Sequence, residues 1–210
     1  MHIAPLEIND RERFDAFYAI YRVSFPLSEQ KSYEELVLMG SLASYTIFTA
    51  QNDEEILGFC IMFHDSEVDF YLLEYMAIDA QKRSLGLGSK LFLASIDTLV
   101  QQHGLKPLVI EIDSPEKPSP EQPIREKREQ FYRKLGCKKI DPFDYILPLK
   151  SDEAPPPMEL LIYHPTLAHL FKEDLRCWLE TLYTKVYGCN KDDARLTTML
   201  EQTPPILNLI

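Results

Sequence analysis

A strand, a glycine-containing turn and a helix follow one another between residues 69 and 103, and this succession constrains the fold more than any other part of the sequence. Residues 69–78 combine β-branched, aromatic and aliphatic side chains, which is typical of a strand. After Gly86-Leu87-Gly88, a predicted helix carries an apolar face that contains Phe92, Ile96, Leu99 and Val100. Such a turn can aim several backbone N–H groups outward, and the helix start adds unpaired N–H groups and a positive dipole end. The segment therefore favours a pyrophosphate, which the backbone can approach closely at a glycine.

Two better-known phosphate-binding signatures do not fit this turn. It lacks the Gly-Lys-Ser/Thr ending of a Walker loop. A dinucleotide fingerprint needs a third glycine, and position 91 is Leu. Taken alone, Gly-x-Gly before a helix is equally compatible with a turn that only ends a strand.

The rest of the chain alternates between helix and strand signals up to about residue 165. Predicted helices cover residues 10–25, 32–40, 88–103 and 124–135. Predicted strands cover residues 3–8, 44–50, 56–64, 69–78, 108–112, 145–149 and 158–163. Beyond that point, residues 167–187 carry a broad apolar stripe typical of an amphipathic helix, and residues 190–210 show weak periodicity.

Two short motifs resemble those of the GNAT acetyltransferases. Arg83-Ser84-Leu85-Gly86-Leu87-Gly88 resembles the family's R/Q-x-x-G-x-G/A motif, and it follows a strand that ends in Met-Ala-Ile-Asp. Phe131-Tyr132-Arg133-Lys134-Leu135-Gly136-Cys137 resembles the family's F-Y-x-x-x-G-F segment, with Cys in place of the usual aromatic residue. The family's order is a strand, two helices, three antiparallel strands, the motif helix, a strand, a helix and two strands. The order predicted for residues 2–165 is similar to it.

The resemblance implies an α+β fold in which helices flank a mixed, mostly antiparallel central sheet with a V-shaped splay. It implies a GNAT acetyltransferase domain over residues 1–165 and leaves residues 166–210 as a C-terminal helical extension and tail. We expect the apolar stripe of the extension to pack on the parent domain, and packing on another subunit is the alternative. A monomer and a homodimer both remain open.

The resemblance also implies acetyl-CoA as the acyl donor. The pantetheine arm would insert where the strand at residues 69–78 and the strand at residues 108–112 splay apart. The backbone of the first strand would pair with that arm, and the backbone N–H groups of the turn would hold the pyrophosphate. The residues expected to bind the coenzyme are Met76, Ala77, Ile78, Arg83, Ser84, Leu85, Gly86, Leu87, Gly88 and Ser89.

Direct attack of an amine on the thioester, the usual mechanism in this family, needs a group that accepts the amine proton and a proton donor for the departing thiolate. Tyr132 matches the family tyrosine that faces the coenzyme sulfur, which makes it the candidate donor. A tyrosine with an ordinary pKa of about 10 is protonated at neutral pH. A core tyrosine with a satisfied hydroxyl is the alternative.

Three carboxylates are candidates for the acceptor side. Glu74 lies among apolar residues on the strand before the motif, where burying an unpaired carboxylate would be costly, so it is the candidate base or amine ligand. Glu111 and Asp113 point to one side of a later strand and would bind a cationic amine. A solvated Glu74 and a polar sheet face are the alternatives. Arg125 and Arg128 would bind an anionic part of a substrate, although a solvated helix face is their more ordinary role.

Composition and charge exclude several classes of function. The net charge of −11 argues against a general nucleic-acid surface, which needs many Lys and Arg along the phosphates. It suits a cationic substrate, although solubility alone accounts for such a charge. The four cysteines form no C-x-x-C pair, so neither a disulfide framework nor a metal site is predicted. With no signal-peptide pattern and no long apolar run, we expect a cytoplasmic protein without a membrane partner.

Two classes of function stay open at this level. One is an amine acetyltransferase. The other is a non-catalytic sensor or scaffold that binds acyl-CoA on the same fold, which needs the turn but neither Tyr132 nor a base. The presence of Tyr132 favours the enzyme. The sequence does not choose between a polyamine, an aminoglycoside, an amino acid and a protein amine as acceptor.

Overall fold

The computed structural model describes residues 1–52, 55–83, 85–116, 118–148 and 157–210. These residues form two compact units, one built from residues 1–67 and 71–106 and the other from residues 68–70 and 107–210. Each unit has its own strands, helices and buried apolar side chains. No helix in these ranges combines the length and the apolar character that crossing a membrane requires.

The strands of the first unit form an antiparallel meander. They are β1 (His2–Pro5), β2 (Tyr45–Gln51), β3 (Ile56–Phe63) and β4 (Tyr71–Ile78), and they pair in chain order. All 8 residues of β3 are buried, as expected of its continuous apolar run. The register of β4 shifts beside β3, because Tyr75 lies opposite Ile61 while Leu73 lies opposite Met62. Glu74 is therefore the additional residue of a β-bulge.

Two helices of the first unit begin at side-chain caps, as the sequence predicts. They are α1 (Arg11–Ser24) and α2 (Tyr33–Ser41). Asp10 accepts a hydrogen bond from the backbone N–H of Arg13 at 3.1 Å, and Ser32 and Glu35 form a reciprocal capping box. The apolar faces of both helices join residues of the strands in one buried cluster: Leu6, Phe14, Phe17, Ile20, Tyr21, Leu36, Met39, Ile47, Ile56, Phe59, Ile61 and Ala77.

The helix that follows the glycine-containing turn is α3 (Leu87–His103), which confirms the predicted helix. It begins after Gly86, whose φ is 72°, and ends at Gly104, whose φ is 87°. Both angles lie in the left-handed region that glycine adopts without steric cost. The buried face of α3 contains Leu91, Phe92, Ser95, Ile96 and Leu99.

The second unit has an antiparallel sheet whose order differs from the order along the chain. Its strands are β5 (Leu108–Asp113), β6 (Lys138–Asp141), β7 (Met158–Tyr163), β8 (His169–Phe171) and β9 (Ile206–Leu209). They are arranged β5-β7-β6-β9-β8, so β7 lies between β5 and β6. Its helices are α4 (Gln122–Lys134), α5 (Lys172–Thr181) and α6 (Ala194–Gln202).

One strand of the second unit is displaced from its predicted position. The sequence predicts a strand over residues 145–149, but the strand that pairs with β7 there is β6. Tyr145 forms only an isolated bridge with Met158, and Leu149 lies outside the described residues. The sequence Lys-Lys-Ile-Asp of β6 has one apolar side chain, so periodicity alone could not reveal it.

The C-terminal part contains strands as well as helices. The predicted helix over residues 167–187 begins only at Lys172, because the three residues before it form β8 and pair with β9. The weakly periodic tail forms α6, which Asp193 caps, and then β9, which pairs with β6. The predicted domain boundary at residue 165 stays a prediction, although the segment beyond it contributes two strands to the second unit.

Candidate active site

The turn after β4 is built by local hydrogen bonds. Asp79 accepts a hydrogen bond from the backbone N–H of Gln81 at 2.7 Å and thereby caps a short 3₁₀ turn. Arg83 is exposed, and its Nε donates to the carbonyl of Ile78 at 3.3 Å. Ser84, a predicted coenzyme ligand, lies outside the described residues. The turn thus presents the Arg83 guanidinium to solvent just before α3.

Gly86 leaves open space in front of the first turn of α3. A Cβ built at Gly86 would meet no atom within 4 Å. Gly86, the N-cap residue, has no side chain that could cap the helix. Because the first N–H groups of a helix have no intrahelical partner, they are available to an anion.

The strand residues predicted to contact the coenzyme lie at the C-terminal end of β4. Met76, Ala77 and Ile78 pair with Cys60, Phe59 and Gly58 of β3 in turn. Ala77 belongs to the apolar cluster of the first unit, whereas Met76 and Ile78 are partly exposed. This end of β4 is therefore paired with β3 up to the residue where it enters the turn.

Glu74 is buried and paired with a cation. Its side chain is 6% exposed, and its Oε1 lies 3.2 Å from Nζ of Lys31. Its Oε2 is buried and has no hydrogen-bond partner among the described residues. Burial raises the pKa of Glu74, while the positive charge of Lys31 and hydrogen bonding with Lys31 and Tyr45 oppose that rise. The alternative of a solvated Glu74 is therefore wrong, and the bulge interrupts the strict alternation assumed for this strand.

Glu111 is held by two tyrosines of the second unit. The hydroxyl of Tyr145 donates to Oε1 of Glu111, and the hydroxyl of Tyr187 donates to Oε2 at 2.6 Å. Burial and the charge of Glu111 raise the pKa of Tyr145 well above its usual value, so this phenol stays protonated as a donor. The two hydrogen bonds fix the orientation of the Glu111 carboxylate.

Asp113 and the two candidate arginines are engaged in ion pairs. Asp113 lies 2.9 Å from Arg128, and both side chains are partly exposed. Arg125 lies 3.5 Å from Glu121 one helical turn earlier. The charge of Asp113 is thus partly offset by Arg128.

Tyr132 lies near the C-terminal end of α4. The residue is 8% exposed, and its ring packs edge-on against Phe131 with centroids 5.1 Å apart. Its backbone carbonyl accepts hydrogen bonds from the N–H groups of Leu135 and Cys137, each at 3.0 Å. These bonds end the helix at Gly136 and fix the backbone from which Tyr132 projects.

Two cysteines, Cys60 and Cys137, are buried in the described part of the chain. Burial raises the pKa of the Cys60 thiol and of the Cys137 thiol to about 12, so both stay protonated and weakly nucleophilic. Within the described ranges, no group of three or more His, Cys, Asp or Glu is placed to hold a metal ion.

Several contacts of the predicted site residues involve side chains that sequence reasoning missed. Lys31 and Tyr45 approach Glu74, and Tyr145 and Tyr187 approach Glu111. Each pair joins residues far apart in the chain, so no local spacing reveals it. The expected cost of burying Glu74 alone was the one available signal that a cationic partner exists.

A comparison with protein families identifies the chain. The sequence profile of the acetyltransferase (GNAT) family matches residues 14–137, which include the glycine-containing turn and the segment around Tyr132. The chain belongs to the GNAT acetyltransferase family. Members of this family are acetyl-CoA-dependent N-acetyltransferases, and the chain is an enzyme of that class. A search of curated proteins finds no significant relative.

Solved structures with a similar fold include several GNAT proteins. A protein described as an acetyltransferase of the GNAT family from Bacteroides thetaiotaomicron has 21% identity and a TM-score of 0.71, over 90% of this chain and 100% of that one. An aminoglycoside 6'-N-acetyltransferase complexed with coenzyme A has 17% identity and a TM-score of 0.63, over 80% and 99%. The ribosomal-protein-S18-alanine N-acetyltransferase from Escherichia coli has 18% identity and a TM-score of 0.58, over 80% and 95%. At these identities the likeness shows the GNAT fold, α+β with mostly antiparallel strands flanked by helices.

Proposed function

We propose that this GNAT enzyme transfers the acetyl group of acetyl-CoA to a primary amine of a small cationic molecule by direct attack on the thioester. The observation that carries the proposal is the buried Glu74 carboxylate, whose Oε2 lacks a partner among the described residues. A buried carboxylate with one oxygen that has no partner among the described residues is suited to accept a proton from an amine that reaches it.

The turn between β4 and α3 supports coenzyme binding. The exposed Arg83 and the open space before Gly86 suit a pyrophosphate, and the start of α3 offers N–H groups and a positive dipole end. The proposed coenzyme ligands remain the three residues at the end of β4 and the turn residues from Arg83 to Ser89. Acetyl-CoA bound there supplies an activated thioester carbonyl.

The chemistry requires three proton movements. The acceptor's ammonium loses a proton to Glu74, the amine nitrogen forms a bond to the carbonyl carbon, and the bond from that carbon to sulfur breaks. Tyr132 gives its phenolic proton to the departing thiolate, and the newly bonded nitrogen then loses its second proton, which restores the phenol and leaves a neutral amide, a free thiol and a protonated Glu74. The raised pKa of Glu74 suits the first step, because a base works best when its pKa lies near the operating pH.

Charge supports a cationic acceptor over an anionic one. Glu74 is buried, and Glu111 accepts hydrogen bonds from the hydroxyls of Tyr145 and Tyr187. Asp113 pairs with Arg128, which offsets part of its charge. We therefore propose Glu74, Glu111 and Asp113 as the groups that recognise the amine, with Glu74 as its base.

The similar structures do not choose the acceptor. One is named for aminoglycosides and another for a ribosomal protein, and both share the fold at comparable TM-scores. The choice of a small cationic amine therefore rests on the carboxylates of this chain.

Acceptor competition tests the proposal. Cationic, neutral and anionic amines are compared for the wild type, Glu74→Gln and Glu111→Gln, at ionic strengths of about 0.1 M and 1 M, where the Debye length falls from about 10 Å to about 3 Å. Glu173→Gln, on the exposed first turn of α5, is the control of equal charge change. We expect cationic acceptors to win, Glu74→Gln to lower kcat/KM by roughly 100-fold or more, and the control to match the wild type. Preference for anionic acceptors, or no effect of either substitution, contradicts the proposal. Arg125 and Arg128 would then be the candidates for substrate contact.

A further inference from the structure

The segment between α1 and α2 brings a lysine against the carboxylate on β4. Nζ of Lys31 lies 3.2 Å from Oε1 of Glu74, and the lysine side chain is 30% exposed while that of the glutamate is 6% exposed. The lysine thus reaches from the surface to a carboxylate that is almost fully buried.

The backbone at Lys31 is fixed by hydrogen bonds from both sides. The side-chain amide of Gln30 donates to the carbonyls of Phe25 at 2.5 Å and Arg22 at 2.9 Å. The backbone N–H of Lys31 itself donates to the hydroxyl of Tyr21 at 2.8 Å. The capping box at Ser32 then begins α2. The side chain of Lys31 therefore starts from a fixed backbone position, which limits the conformational entropy lost when it pairs with Glu74.

The groups that face Glu74 include one cation and several phenols. Lys31 approaches from the segment before α2, Tyr21 from α1, and Tyr45 from the start of β2, while Tyr75 is the neighbour on β4. Burial raises the pKa of Tyr45 and of Tyr75, and the charge of Glu74 raises both further, so these phenols are neutral at physiological pH. Lys31 is thus the source of positive charge in this set.

Removing one partner of a buried ion pair leaves the other charge uncompensated. A carboxylate in that position responds by keeping its proton to a higher pH. A protonated Glu74 could not accept a proton from an amine, so the ionisation state of this residue decides the pH range in which it acts as a base.

We propose that Lys31 is a positioning residue for Glu74: its ammonium holds Oε1 and keeps the buried carboxylate ionised, which leaves Oε2 to take the proton of the acceptor. The inference rests on the proposed function, because it assigns the role of Lys31 through that of Glu74. Lys31 itself forms and breaks no bond in the reaction.

Titration of the Glu74 carboxyl tests this role without depending on turnover. Protein labelled with ¹³C at glutamate carboxyls is titrated by NMR, and Glu74→Gln identifies the signal. In Lys31→Met the midpoint should rise by about one unit or more, while Lys31→Arg, which keeps the charge, should stay near the wild type. Lys82→Met removes the lysine of an exposed pair with Glu55, in which the two side chains are 34% and 45% exposed, and should leave the Glu74 midpoint unchanged.

Kinetics then separate positioning from a purely structural role. The acid limb of kcat/KM against pH should move upward with the NMR midpoint in Lys31→Met and recover at high pH, whereas a structural loss lowers the rate at every pH. Lys31→Gln serves as a second neutral variant if Lys31→Met does not fold. An unshifted Glu74 midpoint in a folded neutral variant overturns the inference. If the wild type transfers no acetyl group to any amine, the proposed function is wrong. The effect of Lys31 on the Glu74 titration is still measured in that case.

Discussion

The hydroxyl of Tyr187 donates a hydrogen bond of 2.6 Å to Oε2 of Glu111, across 76 positions of the chain. Tyr187 follows a π-helical turn (Leu182–Val186) after α5, and Glu111 lies in the middle of β5. The segment beyond residue 165 is thus tied to a strand of the family domain through a proposed substrate ligand.

Tyr187→Phe should destabilise the protein, because it keeps the ring and removes the donor to a carboxylate. We expect a loss of about 1 to 2 kcal/mol in the free energy of unfolding, the range for a hydrogen bond to a charged group in a partly exposed position. Denaturant unfolding followed by circular dichroism measures it. Tyr18→Phe, at a ring that stacks on Tyr21, is the control and should change stability by less than about 0.5 kcal/mol. Equal stability of the Tyr187 variant and the wild type contradicts the proposed tie.

Gly86→Leu should abolish coenzyme binding, because the side chain would fill the space before α3 and φ of 72° strains any residue but glycine. Gly104→Leu is a matched control at the other end of α3, with φ of 87° and equally open space around its Cβ. The Gly104 variant should lose at least as much thermal stability as the Gly86 variant, because φ of 87° with ψ of 172° is a conformation that almost only glycine adopts. Calorimetry should show acetyl-CoA binding retained only in the Gly104 variant, and loss in both or in neither argues against a pyrophosphate site at this turn.

Tyr132→Phe should slow turnover by roughly 100-fold or more, the usual contribution of a positioned proton donor. The ring remains to pack on Phe131, so folding and coenzyme affinity should be close to those of the wild type. Single-turnover rates measure the chemical step, and calorimetry measures the affinity. An unchanged chemical rate assigns Tyr132 to the core alone.

His64 makes stability depend on pH. Burial lowers the pKa of His64, and the charge of His103, stacked at 4.7 Å between ring centroids, lowers it further. A histidine with a folded-state pKa below its unfolded value near 6.5 contributes stability that is present above that value and lost as pH falls toward the folded pKa. Between pH 7 and pH 5, the wild type should therefore lose more free energy of unfolding than His64→Gln. Parallel losses in the two proteins contradict this assignment.

Local patterns in the sequence predicted much of the first unit. The apolar run of β3, the capping box at Ser32 and the glycines that bound α3 each lie within a few residues of the element that they define. The second unit was harder to predict, because β6 gains its place from pairing with β7 and β9 and has little apolar pattern of its own.

In the candidate site, too, the features set by neighbouring residues were predictable from the sequence, and those set by long-range packing were not. The turn from Arg83 to Gly88 is a contiguous motif, so the sequence predicts it directly. The alternation of side chains along a strand does not predict the pairing of Glu74 with Lys31, because that pairing depends on a bulge and on how the segment before α2 packs. The tyrosine partners of Glu111 were missed for a similar reason, since they meet it only in the folded second unit.

Amine-dependent release of free thiol from acetyl-CoA measures whether the chain performs the proposed reaction. With a primary polyamine as acceptor, the wild type should release thiol and form acetylated amine in equal amounts, while Glu74→Gln should be slower by roughly 100-fold or more. Folded wild-type protein that binds acetyl-CoA but releases no thiol with any amine, or a Glu74→Gln variant as fast as the wild type, would contradict the proposed reaction.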